Sequence, residues 1–209
     1  MKIINVRSLA IPEIKVIRFG RYGDQRGYFS ETFRKSILLN HPELDSMKRI
    51  EFTQCNESFS RSGTVRGLHF QWNPYMAKLV RTIQGRMIDL ALDIRKGSPT
   101  LGKIIAYDLS VNNKDDFSEW IWIPQGFAHG VFFMEDSIIE YFSTGEWSPQ
   151  CEAGISPITS DMDWSLCDAR LREIFNKTTA SNFFISEKDK NGYSLQNWLK
   201  NIDSDHFIY

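Results

Sequence analysis

The chain has 209 residues, of which 42% are hydrophobic and 24% charged, a composition typical of one folded domain that excludes a disordered chain. Its 25 basic and 26 acidic residues give a net charge of −1, so no global field attracts nucleic acid or an anionic membrane surface. No apolar run approaches the roughly 18 residues of a membrane span, and the first residues lack the apolar core of a signal peptide.

The cysteines and the aromatic residues indicate the redox environment and the type of secondary structure. The three cysteines, Cys55, Cys151 and Cys167, are an odd number and lack the spacing of a metal site, so we expect reduced thiols and a cytoplasmic location. Fifteen Phe, seven Tyr and six Trp are a large aromatic share, and aromatic side chains favour strands and sheet cores.

The first third of the chain predicts three strands. Residues 14–19 follow a proline, and residues 28–33 alternate around Glu31, a carboxylate placed unusually between two aromatic residues. Residues 52–60 predict the third strand, which has three uncharged polar side chains on one face: Gln54, Asn56 and Ser58. Such a face suits a polar cavity, and it equally suits a solvated edge strand.

The next stretch contains several residues that could take part in binding or catalysis. Residues 65–71 and 79–83 predict two strands around a short turn, and Arg66, His69 and Lys78 lie within them or beside them. A lone histidine on a strand is most often a hydrogen-bonded core residue, but the neighbouring basic groups favour a functional site. Simple alternation points Arg66 and His69 to opposite faces, so a twist or bulge near Gly67 is needed to bring both inward.

The remaining pattern gives the fold class. Five further runs predict short strands: 85–95, 104–110, 120–123, 131–134 and 138–142. Turn signals recur about every eight to twelve residues, which is typical of an all-β sandwich or barrel. Residues 168–175 and 194–199 predict short helices, the first with Asp168 as its N-cap. We expect one domain over residues 1–209, with 160–209 as a C-terminal appendage packed on the barrel.

Two motifs resemble those of cupins, the small jelly-roll barrels. Pro124-x-Gly126-x-x-His129 is similar to their second motif, while His69-x-Gln71 and Lys78 stand where metal-binding members carry two histidines and a glutamate. A protonated lysine has no lone pair, and glutamine is a weak ligand for a divalent cation. We therefore expect no metal and no other cofactor, with a cation in the electrostatic place of the metal.

The chain also resembles the nucleotide-sugar epimerases of the dTDP-4-dehydrorhamnose 3,5-epimerase family over about residues 16–189. The matching blocks are Asp24-x-Arg26-Gly27-x-Phe29-x-Glu31, Gln54-x-Asn56-x-Ser58, Arg66-Gly67-Leu68-His69-Phe70-Gln71, Lys78-Leu79-Val80, Asp93-Ile94-Arg95-x-x-Ser98-Pro99-Thr100, Pro124-x-Gly126-Phe127-Ala128-His129-Gly130, Tyr141 and Ser186-x-Lys188-Asp189. The resemblance implies a cupin-type jelly-roll barrel with short C-terminal helices, a nucleotide-diphosphate sugar substrate, a homodimer, and sugar synthesis for cell-surface polysaccharide of the O-antigen type.

The chemistry of a 4-keto sugar assigns roles to four residues. The C–H bonds at C3 and C5 are acidified by the C4 ketone, and epimerisation needs a base on one face and an acid on the other. His69 is the best candidate base, because the ordinary pKa of histidine lies near physiological pH. By the resemblance, Asp189 pairs with His69, Tyr141 returns a proton from the opposite face, and Lys78 stabilises the enolate oxygen at C4.

The resemblance also implies a substrate-binding set. Three basic residues match positions that grip the diphosphate: Arg26, Arg66 and Lys188. Four polar residues match base-, ribose- or sugar-binding positions: Glu31, Gln54, Asn56 and Glu152. His129 corresponds to a sugar-binding residue, and Trp147 stands where a family aromatic stacks on the nucleobase, although a core or interface tryptophan fits that position as well.

Several departures from the family pattern keep alternatives open. Tyr75-Met76-Ala77 replaces a segment that usually carries glutamine, the block after Glu152 differs, extra sequence lies within 156–182, and a tail covers 190–209. The nucleotide is therefore dTDP, CDP or GDP, and inversion is at C3 alone or at C3 and C5. A 3,4-ketoisomerase would need a histidine pair in place of His69 and Tyr141. A non-catalytic sugar-nucleotide-binding cupin would be expected to have lost His69, Tyr141 or Asp189.

Overall fold

Alternating apolar and polar runs form most of the chain, and a computed structural model describes all residues from 1 to 209. The strands are β1 Ile3–Ser8, β2 Lys15–Gly20, β3 Tyr22–Asp24, β4 Gly27–Phe29, β5 Gln54–Ser60, β6 Val65–Gln71, β7 Lys78–Gln84, β8 Arg86–Asp93, β9 Ile104–Ser110, β10 Phe117–Ile123, β11 Phe127–Phe133, β12 Ser137–Ser143 and β13 Glu152–Gly154. The helices are α1 Lys35–Leu39, α2 Ala169–Ala180, α3 Glu187–Lys190 and α4 Leu195–Leu199, with 3-10 turns at Pro42–Met47 and Ile202–His206. None of these helices is long and apolar enough to cross a membrane.

The strands form two antiparallel sheets that face each other. The six-stranded sheet has the order β1-β2-β10-β7-β12-β5, and the five-stranded sheet has the order β13-β6-β11-β8-β9. Strands that are neighbours in a sheet are mostly distant in sequence, as in a jelly roll, while β3 and β4 form a separate hairpin. The all-β prediction and the predicted jelly-roll barrel are thereby confirmed.

The hydrophobic residues divide into three clusters because both faces of each sheet are covered. Side chains such as Val80 and Ile121 of one sheet meet Met87 and Val131 of the other in the interior. Phe70 and its neighbours on the outside of the five-stranded sheet are covered by C-terminal residues: Met162, Phe175, Leu195, Trp198 and Phe207. The outside of the six-stranded sheet packs against α1 and the first 3-10 turn. Strand β8 is consequently buried on both faces.

Both predicted helices are present, and the predicted N-cap of the first, Asp168, is confirmed. Asp168 accepts a hydrogen bond from the backbone N–H of Arg170 at 2.7 Å and begins α2. Ser194 accepts one from the N–H of Asn197 at 3.1 Å and begins α4. In both cases a short polar side chain satisfies a donor that the first turn of a helix leaves free.

The strand predicted over 28–33 is wrong beyond Phe29. After the β3–β4 hairpin the chain leaves the sheet, and its polar groups find other partners: the Ser30 hydroxyl donates to the Gly20 carbonyl at 2.8 Å. The Thr32 carbonyl accepts from the Trp120 indole at 2.7 Å. Phe33 packs edge-on against Phe52 at the end of the outer cluster. Alternation in sequence did not reveal that this segment has no strand to pair with.

A β-bulge at Gly67 resolves the conflict between Arg66 and His69. His69 lies opposite His129 and Arg66 lies opposite Val131, so two residues of β6 face only Gly130 of β11. Gly67 has a φ of +108°, and a Cβ at this position would lie 2.5 Å from the Gly130 Cα. The bulge turns Arg66 toward the interior, where His69 also points, and the predicted irregularity is confirmed.

Gly67→Ala should lower the free energy of unfolding by about 3 kcal/mol, because the left-handed backbone and the clash with Gly130 both oppose a side chain. Urea denaturation measures the change. The matched control is Gly63→Ala, which has a φ of +77° but no atom within 4 Å of the new Cβ, so it should cost only about 1 kcal/mol. Equal losses for the two variants would show that the close approach is unimportant.

Candidate active site

A cavity of about 640 Å³ lies between the two sheets, and polar as well as apolar side chains line it. His69 and His129 come from neighbouring strands of the five-stranded sheet, whereas Lys78 and Tyr141 come from neighbouring strands of the six-stranded sheet. Three further predicted residues line the same cavity: Arg66, Lys188 and Asp189. The two sheets thus present different functional groups to one space.

His69 and Asp189 form a close pair. The Nε2 atom of His69 lies 2.7 Å from Oδ1 of Asp189, and Oδ2 of Asp189 accepts a hydrogen bond from the Gly67 N–H at 3.2 Å. Burial works to raise the pKa of Asp189, but the hydrogen bonds from His69 and the Gly67 amide outweigh it and lower that pKa. An ionised carboxylate accepts, so Nε2 carries the proton and Nδ1 keeps a free lone pair.

A second histidine–aspartate pair lies beside the first. The Nε2 atom of His129 is 2.8 Å from Oδ2 of Asp89, and the side chains are only 8% and 1% exposed. Burial lowers the pKa of His129, which favours the neutral imidazole. His129 is the cross-strand neighbour of His69.

Lys78 and Tyr141 face the histidines from the opposite sheet. The ammonium of Lys78 lies 5.9 Å from the centre of the Tyr141 ring and has no hydrogen-bond or ion-pair partner in the protein. Burial lowers the pKa of Lys78 to about 8, although the charges of Glu152 and Asp89 act against this. Burial also raises the pKa of Tyr141, so its phenol keeps its proton at neutral pH. The cavity therefore has an imidazole on one wall and a protonated phenol on the other.

A smaller chamber of about 270 Å³ adjoins the cavity and shares His69, Lys78, Tyr141 and Lys188 with it. Its walls contain four more of the predicted substrate-binding residues: Gln54, Asn56, Trp147 and Glu152. The predicted strand face of Gln54 and Asn56 therefore lines a cavity, on a strand that is also the edge of its sheet.

Hydrogen bonds order this chamber. Oε1 of Gln54 accepts from the Trp147 backbone N–H at 3.0 Å, and its amide donates to Oδ1 of Asn56 at 2.8 Å. Glu152 accepts from the Trp147 indole N–H and from the Lys188 ammonium. Burial works to raise the pKa of Glu152, but these two donors lower it. Trp147 remains 60% exposed, so one face of its indole is available to a ligand.

Two of the predicted substrate-binding residues, Arg26 and Glu31, lie outside both chambers. Arg66 lines the larger cavity, where its guanidinium donates to the Ser60 hydroxyl at 2.9 Å. Arg26 lies on the β3–β4 hairpin, 85% exposed and paired with Asp24 at 2.7 Å. Glu31 pairs with the N-terminal ammonium and with Arg34. Neither Arg26 nor Glu31 lines either chamber.

Sequence reasoning missed two parts of the site. Asp89, the partner of His129, lies within an apolar strand, where a lone acid on the inward face is the only available signal. Phe183, Phe184 and Ile185 form one wall of the larger cavity, where the Phe184 backbone N–H donates to Gly63 at 2.9 Å. These residues immediately precede the Ser186-x-Lys188-Asp189 motif, and their apolar run was a usable signal.

The site holds no set of metal ligands. No three His, Cys, Asp or Glu side chains converge anywhere in the chain, and the two histidines each bind a different aspartate. Lys78 lines the cavity at the position where metal-binding cupins carry a glutamate. Independence from metals and cofactors stays a prediction.

Comparison with known proteins identifies the class. The family model for dTDP-4-dehydrorhamnose 3,5-epimerase matches residues 8–197. A dTDP-4-dehydrorhamnose 3,5-epimerase of Shigella flexneri is 35% identical over 98% of this chain and 100% of its own length. One from Sinorhizobium fredii is 38% identical over 90% of this chain and 88% of its own.

A solved structure agrees with these relatives. The dTDP-6-deoxy-D-glucose-3,5-epimerase of Legionella pneumophila, in complex with dTDP-4-keto-L-rhamnose, superposes with a TM-score of 0.77 and 31% identity. The match covers 98% of this chain and 97% of the other. The fold and these similarities define an isomerase that acts on carbohydrates from within a cupin-type barrel. The chain belongs to the dTDP-4-dehydrorhamnose 3,5-epimerase family, and the resemblance found in its motifs is confirmed.

Lys78 should lose half its charge near pH 8, because burial favours the neutral amine, whereas a lysine in water does so near 10.5. Competitive acetylation across a pH series, followed by mass spectrometry of the Lys78 peptide, measures the midpoint. The control is the same peptide labelled in urea, where the midpoint should return to the ordinary lysine value. A folded-state midpoint near 10.5 would contradict the burial argument.

Proposed function

We propose that this enzyme inverts a nucleotide-linked 4-keto-6-deoxy sugar at C3, at C5 or at both, for cell-surface polysaccharide of the O-antigen type. The observation that carries the proposal is the placement of His69 and Tyr141 on opposite sheets across one cavity. Inversion needs a base and an acid on opposite faces of one carbon, and this arrangement supplies both. The three free thiols support a cytoplasmic location.

The proposed reaction moves two protons. Nδ1 of His69 takes the proton from the carbon beside the ketone, and the electron pair of that C–H bond forms an enolate with its charge on the C4 oxygen. Tyr141 gives its phenolic proton to the opposite face of the same carbon, and the enolate returns to the ketone. The carbon is inverted, and solvent then removes a proton from His69 and supplies one to Tyr141.

Lys78 has the properties that an enolate stabiliser requires. Its ammonium has no partner in the protein, so a developing oxyanion can receive its hydrogen bonds without displacing another group. A well-placed donor of this kind contributes about 3–4 kcal/mol to the transition state. A pKa of about 8 keeps most of the amine protonated at neutral pH.

The chambers suit the two ends of a nucleotide sugar. Trp147 and the Gln54–Asn56 amides would hold the nucleoside in the smaller chamber, with Glu152 beside them. Lys188 lines both chambers, so it can contact a diphosphate that links them, and Arg66 adds a guanidinium in the larger one. His129 would bind the sugar. The relatives act on dTDP sugars by name, and we propose dTDP as the nucleotide ahead of CDP or GDP.

One observation bears on the alternative 3,4-ketoisomerase. That activity needs a histidine pair, and His69 and His129 are cross-strand neighbours that both line the cavity. The Tyr141 phenol on the opposite wall favours epimerisation, and His129 is tied to Asp89. The identity of the product separates the two activities, because only the isomerase moves the ketone from C4 to C3.

In D2O the enzyme should introduce deuterium from solvent at C3, C5 or both of a dTDP-4-keto-6-deoxy sugar, as measured by NMR. His69→Ala should abolish this exchange, because the base is lost, while nucleotide binding persists. A chelator should leave the exchange unchanged. Absence of exchange with dTDP-, CDP- and GDP-linked substrates would overturn the proposed function.

Tyr141→Phe provides a separate measurement of the acid. With His69 intact, the variant should still exchange the C–H proton with deuterium, but the product should keep its original configuration because no donor remains on the opposite face. Inversion should fall by at least about 100-fold while exchange falls far less. Parallel loss of both would mean that Tyr141 does more than donate the second proton.

We also propose that the homodimer brings Arg26 and Glu31 to the active site of the partner subunit. Both residues match substrate-binding positions of the family, yet neither lines a chamber of its own chain. The β3–β4 hairpin that carries Arg26 exposes three aromatic side chains that a subunit interface would cover: Tyr22, Tyr28 and Phe29.

Mixing two inactive variants tests this arrangement. A heterodimer of Arg26→Ala and His69→Ala chains would have one site with both substitutions and one with neither, so random reassembly should restore about one quarter of wild-type activity. Each variant alone is the control and should stay inactive. If Arg26 served its own chain, mixing would restore nothing. Sedimentation measures the oligomeric state in parallel.

A further inference from the structure

The carboxylate of Asp189 is positioned by a very short helix. Asp189 is the third residue after Ser186, the N-cap of α3, and its backbone N–H donates to the Ser186 hydroxyl oxygen at 3.0 Å. The helix contains only four residues, Glu187–Lys190, and so short a helix is not stable through its own propensity. Its geometry depends on the cap and on packing.

The cap has an unusual form. In a Ser-x-x-acid capping box the acid side chain normally reaches back to the N-cap amide. Here the Asp189 carboxylate instead binds His69 at 2.7 Å and the Gly67 amide at 3.2 Å. The serine therefore holds the backbone of the helix while the acid side chain faces the histidine. Ser186 also lines the larger cavity, so the cap lies within the site.

We propose that Ser186 is a positioning residue for the epimerisation, which acts through Asp189 on His69. The inference rests on the proposed role of His69 as the base. Without the serine hydroxyl the first turn of α3 loses its N-terminal acceptor, and the carboxylate is no longer fixed against the imidazole. The tautomer and the orientation of His69 then vary, and the fraction of enzyme ready to remove a proton falls.

Ser186→Ala should lower kcat about 10-fold, as expected for loss of a group that orients a residue of the site, and should change KM less than about 2-fold. Ser186→Thr keeps the acceptor and should restore most of the rate. The matched control is Ser194→Ala, because Ser194 caps α4 with the same bond to Asn197 at 3.1 Å and makes none to Asp189. The control should lose similar stability but keep its rate.

A double-mutant cycle separates positioning from general damage. If Ser186 acts only through Asp189, Ser186→Ala should cost less than about 2-fold in an Asp189→Ala background, against about 10-fold in the wild type. Equal losses in the two backgrounds would overturn the proposal, as would an unchanged rate for Ser186→Ala in the otherwise wild-type chain. Thermal unfolding shows whether each variant is folded.

The failure of this inference differs from failure of the proposed function. If His69→Ala abolishes exchange and Ser186→Ala does not slow it, the proposed role of His69 is supported and the positioning role of Ser186 is wrong. If His69→Ala still catalyses exchange, His69 is not the base, and this holds whatever the rate of Ser186→Ala.

Discussion

The site depends on one irregular pairing, the bulge at which Gly67 and Leu68 of β6 face Gly130 of β11. In a regular strand Arg66 and His69 would point to opposite faces, and only one of them would reach the cavity. The bulge corrects this and also frees the Gly67 amide to bind the Asp189 carboxylate. A single backbone feature therefore sets the direction of His69 and holds its partner Asp189.

Burial has different effects on the groups around the cavity. It lowers the pKa values of His129 and Lys78, which are charged when protonated, and it raises the pKa of Tyr141, which is charged when deprotonated. The pKa of Asp189 is lowered although burial works to raise it, because His69 and the Gly67 amide bind its carboxylate. At neutral pH the cavity thus combines a neutral imidazole, a protonated phenol and one ionised carboxylate without any metal ligand set.

Local patterns predicted much of the fold and the inner site. Alternation predicted most strands, and the capping residue Asp168 predicted the start of α2. The opposed directions of Arg66 and His69 predicted the bulge at Gly67. The segment after Phe29 was mispredicted, because alternation does not show whether a partner strand exists.

The parts of the site that were missed depend on tertiary contacts. The place of Asp89 in the site follows from its contact with His129. That of Phe184 follows from its backbone hydrogen bond to Gly63. Neither contact has a local signature, because the partners lie far apart in sequence. For Arg26 and Glu31 the motifs indicate a function, but a motif carries no information about which cavity a residue faces.

Asp189 lies late in the chain, and this position affects the order in which the site forms during synthesis on the ribosome. Both sheets are complete once β13 has emerged, but Asp189, which binds His69, arrives 35 residues after the last residue of that strand, Gly154 (189 − 154). The aromatic residues that cover the five-stranded sheet arrive later still, at Trp198 and Phe207. A nascent chain therefore contains Gln54 and Trp147 of the smaller chamber before it contains the partner of His69. The His69–Asp189 pair forms only when the C-terminal segment has docked.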